Sequence, residues 1–75
     1  MDSADLYLKG VRNVLESRVK LNLELATLYR NSGDPDIANL YQAKMTCFED
    51  AVEIVATFEA MQQAVTAKRR ADLPF

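Results

Sequence analysis

The chain has 75 residues, a formal net charge of −2, a single cysteine, Cys47, and no histidine. One thiol cannot form an internal disulfide, and without histidine it cannot build a zinc site. A chain this short buries only about 60% of its unfolded surface on folding, so association with a partner is the expected source of further stability.

The sequence predicts an ordered protein that stays in the cytoplasm. Hydrophobic residues make up 49% of the chain, too many for a disordered segment. The acidic start, residues 1–5, is not followed by an apolar run, so we expect no signal peptide. No stretch approaches the roughly 18 consecutive apolar residues of a membrane span. The acidic balance disfavours nucleic acid, whose binding depends on neutralising phosphates.

The strongest break in the sequence lies at residues 31–36. Gly33 suits the left-handed residue that ends a helix, Asp34 is a good N-cap, and Pro35 is tolerated in a first turn. Such a short connection makes the flanking helices antiparallel. The sequence therefore predicts a single all-α domain, residues 1–75: a helical hairpin with helices at about 3–31 and 35–69, a turn at 32–34 and a short C-terminal tail. Inside the first helix, Gly10 lowers helix stability by about 1 kcal/mol relative to alanine at the same position.

Both helices have apolar arcs wider than two helices packed only on each other require. The four-three spacing of a coiled-coil seam runs through the following residues of the first helix and then the second: Tyr7, Val11, Val14, Leu21, Leu25 and Leu28; Ile37, Leu40, Cys47, Ala51, Ile54, Phe58, Met61 and Val65. Flanking stripes add Leu8, Leu15 and Tyr29, and on the second helix Ala38, Tyr41, Met45, Phe48, Val52 and Val55.

If the coiled-coil spacing marks the contact between the helices, the flanking stripes face water. Contiguous exposed apolar patches mark interaction surfaces. The expected partner-binding residues are Tyr41, Met45, Phe48, Val52 and Val55 of the second helix, with Leu8 and Leu15 of the first. A homodimeric four-helix bundle would bury the same residues, and self-association stays open as an alternative.

Three polar residues interrupt these apolar positions. Arg18 and Lys44 fall on the predicted seam and Asn22 on the flanking stripe. A buried layer of polar side chains would fix the register of the two helices or the choice of binding partner. We favour the simpler interpretation, in which the basic side chains reach the edge while their stems pack.

The sequence predicts a binding protein and not an enzyme. Without histidine there is no Ser-His or Cys-His pair, and Cys47 on an apolar stripe is typical of a packed residue. Glu49 and Glu53 share a helix face that we interpret as solvated, without further ligands for a metal. The basic run 68–70 suits the negative end of a helix dipole. We expect no catalytic residue, cofactor or metal.

The turn and the second helix resemble a known family. The run Gly33-Asp34, the pair Tyr41-Gln42, the segment Phe48-Glu49-Asp50-Ala51-Val52 and the pair Ile54-Val55 are similar to the small co-chaperones of type III secretion needle subunits, the YscE-like family. Members carry a Gly-Asp turn, an aromatic-Gln pair and a Leu-Glu-Ser-Ala-Ile-type segment at this spacing. The resemblance covers about forty residues from the turn onward, whereas the first helix agrees only in length and pattern.

The resemblance implies a helical hairpin that binds a larger, tetratricopeptide-like chaperone. Together the two proteins would keep the needle subunit unpolymerised in the cytoplasm before export, with the hairpin stabilising the larger chaperone. A needle subunit itself is the rival, since Asp34-Pro35 followed by residues 41–45 also resembles its turn and second helix. An unrelated homodimeric helical-bundle regulator or inhibitor is the remaining alternative.

Overall fold

The computed structural model describes residues 3–71 and confirms an all-α hairpin. Helix α1 spans Ser3–Asn31 and helix α2 spans Pro35–Ala71, with no strand between residues 3 and 71. Helix α2 extends two residues beyond its predicted end at Arg69, and the rest of the predicted tail, residues 72–75, lies outside the described residues. In the described range neither helix is long and apolar enough to cross a membrane.

The turn joins the helices through a C-cap and an N-cap that overlap. Gly33 has φ of +81°, the left-handed conformation that costs glycine least. The amide of Gly33 donates to the carbonyl of Arg30 at 3.2 Å and that of Asp34 to Tyr29 at 2.9 Å, the pair of bonds of a Schellman motif. The Asp34 carboxylate then accepts a hydrogen bond from the amide of Ile37 at 3.3 Å, which caps α2. One residue therefore closes the first helix and starts the second.

The two helices pack along one line of side chains, which we call the inner stripe. The two helices can approach each other closely near the turn because the most buried residues of the inner stripe are small. These residues, Ala38, Ala26 and Asn22, are 0, 5 and 6% exposed. The half-buried remainder of the inner stripe is Leu8, Leu15, Val19, Tyr29, Tyr41, Met45, Phe48, Val52 and Val55.

Two aromatic rings set the alignment of the helices next to the turn. Tyr29 and Tyr41 stack with ring centroids 5.6 Å apart and planes 8° from parallel. Further along, the guanidinium of Arg12 lies 3.3 Å from the carboxylate of Glu59. In both pairs the residue numbers sum to 70 or 71, so the helices keep one register over the length of the hairpin.

The hairpin has no core of large side chains. Among the described residues, none of the large ones is fully buried. The molecule measures 65 × 15 × 11 Å, and its radius of gyration is 17.9 Å, against about 11 Å for a compact domain of this length. The two helices therefore resemble half of a four-helix bundle, because each helix covers only one stripe of the other.

Candidate protein-binding surface

The structure reverses the roles that the sequence analysis gave to the apolar stripes. The residues expected to bind a partner, Leu8, Leu15, Tyr41, Met45, Phe48, Val52 and Val55, all belong to the inner stripe and are half-buried between the helices. Their use by a partner stays a prediction, but much of their surface already packs within the hairpin. The coiled-coil spacing was wrongly assigned to the contact between helices, because most of its residues are exposed.

Those exposed residues form one continuous face, which we call the open side. Their exposed fractions run from 43% for Leu21 to 72% for Tyr7. At about 100° per residue, they are rotated from the inner stripe in the same sense on both helices, so the two antiparallel helices present them to the same side. The open side comprises Tyr7, Val14, Leu21, Leu28, Leu40, Cys47, Ile54, Phe58, Met61 and Val65.

A groove of about 700 Å³ runs between the helices on the open side. Leu21 and Leu25 of α1 form one wall, and Leu40 and Cys47 of α2 form the other, with Phe48 at the floor. Grooves of this kind between two helices receive the apolar residues of a third helix. Cys47, expected to be packed, is exposed here, because the inner stripe passes through Phe48 instead.

The opposite side of the hairpin is polar. Arg12 pairs there with Glu59 across the helices, and Arg30 donates to the side-chain oxygens of Asn39 at 3.2 Å and Gln42 at 3.0 Å. The Arg12–Glu59 pair is half-buried, and among the described residues neither Arg12 Nε nor Glu59 Oε1 has a hydrogen-bond partner, whereas the hydrogen bonds of Arg30 are exposed.

The acidic residues of the polar side border a second, smaller cleft. Glu16, Glu49 and Glu53 line it together with Val19 and Val52, and its volume is about 280 Å³. Within residues 3–71 no three acidic or cysteine side chains are arranged to hold a metal ion. The face predicted to be solvated is exposed in the structure.

The three polar residues that interrupt the apolar positions of the sequence differ in how far they are buried. Asn22 is buried, and its amide donates to the carbonyl of Arg18 at 2.7 Å, within its own helix. Arg18 and Lys44 are exposed at the edges of the groove. The Lys44 ammonium lies 5.2 Å from the centre of the Tyr41 ring, a cation–π contact. The basic side chains thus reach the edge, while a single small amide is buried.

The sequence analysis missed the open side because it assigned the largest apolar residues to the contact between helices. The available signal was the small size of Ala26 and Ala38, which are the buried apolar residues of the described chain and lie on either side of the turn. Small residues at such positions allow close helix approach.

Comparisons with protein-family models, curated proteins and solved structures found no match for this chain.

Proposed function

We propose that the chain is a co-chaperone that binds a tetratricopeptide-like chaperone in the bacterial cytoplasm through the open side. Together the two proteins would keep a type III secretion needle subunit unpolymerised before export. The single observation that supports binding is the open side, an apolar face that runs along both helices and is uncovered in the hairpin. The kind of partner rests on the resemblance of the turn and α2 to the needle co-chaperones.

The exposed area supports a protein partner. The accessible surface is 5797 Å², about 1,200 Å² more than the roughly 4,600 Å² expected for a folded chain of this mass. A stable protein interface removes about 800 Å² from each partner. The hairpin therefore exposes an excess large enough for one interface of ordinary size.

A tetratricopeptide-like chaperone suits this surface. Such proteins stack pairs of helices into a superhelix with an extended concave surface. The hairpin is 65 Å long and 15 Å wide, and it offers two parallel ridges of apolar side chains with a groove between them. Helix-on-helix packing along these ridges would extend the repeat array. On this proposal the hairpin is a binding protein without catalytic activity.

Co-purification with any tetratricopeptide-type chaperone encoded beside this gene tests the proposal. Ile54 is 57% exposed on the open side, and Ile54→Lys should abolish co-purification because it places an ammonium in the apolar interface. Ala60 is exposed on the other flank of α2, so Ala60→Lys is the matched control and should bind normally. Helicity is checked by circular dichroism for both variants. Absence of a complex with the unmodified chain, or equal loss in both variants, would contradict the proposal.

A needle subunit is the second candidate, because an open side of this length also suits the packing of copies in a filament. In that case the purified chain should polymerise by itself, and electron microscopy of concentrated samples would reveal filaments. A co-chaperone should give none, and it should delay filament formation by the needle subunit when mixed with the larger chaperone.

A further inference from the structure

The charged residues that line the groove are of one sign. Arg18 and Lys44 are the only charged side chains among its lining residues in the described part of the chain. The acidic residues Glu24 and Asp50 lie on the outer flank of the open side, one helical turn from Leu21 and Cys47 respectively, and do not line the groove. No carboxylate of residues 3–71 forms an ion pair with Arg18 or Lys44.

The spacing of the two cations is set by the register of the hairpin. Because facing residues have numbers that sum to about 70, Arg18 is level with Val52, eight residues from Lys44. Eight residues of helix correspond to about 12 Å along the groove. The cations are thus about two helical turns apart, one at each wall of an apolar groove.

We infer that the segment that binds the open side is an amphipathic helix with two acidic residues eight positions apart, one at each edge of its apolar stripe. This inference rests on the proposed function for the existence of a protein partner. The carboxylates would meet Arg18 and Lys44 while the apolar residues fill the groove between them. The Arg18 guanidinium can donate two hydrogen bonds to one carboxylate, and Lys44 is already held over the Tyr41 ring.

A second copy of this chain fits the same face less well. Its groove would bring two more cations and no carboxylate, so a symmetric dimer that paired the two grooves would place four positive charges at one apolar interface. Like charges at an interface disfavour association. The charge pattern therefore selects an acidic helix from another protein.

Synthetic helical peptides of about 20 residues, long enough to form a helix on binding, provide the test on the full unmodified chain. Three peptides share a leucine-rich stripe and differ only at two positions eight apart, one at each edge of the stripe, which carry Glu, Gln or Lys. Affinity is measured by fluorescence anisotropy of the labelled peptide. Protection of Cys47, the only thiol of the chain, from a maleimide reports that the groove is occupied. The Glu peptide should bind about tenfold or more tighter than the Gln peptide, with the Lys peptide weakest.

Matched variants assign the effect to the two cations. The double variant Arg18→Gln, Lys44→Gln should lose the preference for Glu over Gln. The control Lys9→Gln, Lys20→Gln changes net charge equally at exposed residues away from the open side and should keep it. Equal affinity of the Glu and Gln peptides for the unmodified chain would overturn the inference. So would a stable dimer, seen by analytical ultracentrifugation, that protects Cys47 without added peptide.

The chaperone experiment separates this inference from the proposed function. A chaperone complex that is lost in Ile54→Lys but unchanged in Arg18→Gln, Lys44→Gln would overturn the acidic-helix inference and leave the proposed function standing. A clear preference for the Glu peptide without any chaperone complex would support the inference and contradict the proposed partner.

Discussion

Two phenylalanines of α2 form a matched pair for separating the two faces of the hairpin. Phe58 lies on the open side and is 54% exposed, whereas Phe48 is half-buried in the inner stripe. Both are replaced by alanine, so the chemical change is the same and only the location differs. We expect Phe58→Ala to weaken binding with little effect on stability, and Phe48→Ala to do the reverse.

The effect of Phe58→Ala on binding follows from its exposed area. A phenylalanine can bury about 200 Å², of which roughly half is still exposed in the free hairpin. At about 25 cal/mol per Å², covering that half is worth about 2–3 kcal/mol at most. The dissociation constant should therefore rise about 10- to 100-fold. The melting temperature should change little, because alanine's higher helix propensity offsets part of the lost packing.

The effect of Phe48→Ala is expected in the free energy of unfolding. A fully buried phenylalanine costs about 3–5 kcal/mol when truncated, so a half-buried one costs about 2 kcal/mol. In a domain of this size that lowers the melting temperature by about 8–16 °C. Once corrected for the folded fraction, its binding should weaken less than that of Phe58→Ala, because Phe48 is half-buried and reaches a partner only at the floor of the groove.

Circular dichroism melts at low micromolar concentration measure stability. Titration with the proposed chaperone partner, at a temperature where both variants are folded, measures affinity. The distinction between an inner stripe and an open side would be refuted if Phe48→Ala lost binding with its helicity and melting temperature intact. That result would restore the partner-binding role expected for Phe48 from the sequence.

Three further predictions concern the hairpin alone and are measured by thermal or chemical unfolding. Gly10→Ala should stabilise by about 0.5–1 kcal/mol, because an added Cβ meets no atom within 4 Å there; a lower melting temperature would contradict a helical, open environment at this position. Gly33→Val should destabilise by at least about 1 kcal/mol, since φ of +81° is unfavourable for a β-branched residue; an unchanged melt would count against the Schellman turn. Asp34→Ala should cost about 1 kcal/mol through loss of the cap on the amide of Ile37, whereas Asp34→Asn should retain most of that stability and serves as its control.

The two helices and their connection could be predicted from the sequence because the determinants are local. Gly33, Asp34 and Pro35 each favour one backbone state at one position, and their order is compatible only with a helix end followed by a helix start. The structure has this helix end followed by a helix start, and the Asp34 amide and carboxylate form the hydrogen bonds of the two caps.

The candidate site could not be predicted in the same way, because it depends on which of two apolar stripes faces the other helix. Periodicity supports both stripes equally, since each recurs at three- and four-residue steps. The choice was decided by non-local packing: Ala26 and Ala38 let the helices approach, and Tyr29 stacks on Tyr41. The larger residues, Leu21, Ile54 and Phe58 among them, were left outside.

The concentration of burial next to the turn has a consequence for how the hairpin opens. Asn22, Ala26 and Ala38, the three buried residues of the described chain, all lie within twelve residues of Gly33. Their contacts join positions close in sequence, so the hairpin should fold fast and close from the turn outward, like a zipper. Amide hydrogen exchange should accordingly be slowest around the turn-proximal layers and quicken toward Ser3 and Ala71, where less apolar surface holds the helices together. A partner seated along the whole open side, from Leu28 to Tyr7 and from Leu40 to Val65, would slow exchange most at that far end, because that is where the free hairpin has the most protection left to gain.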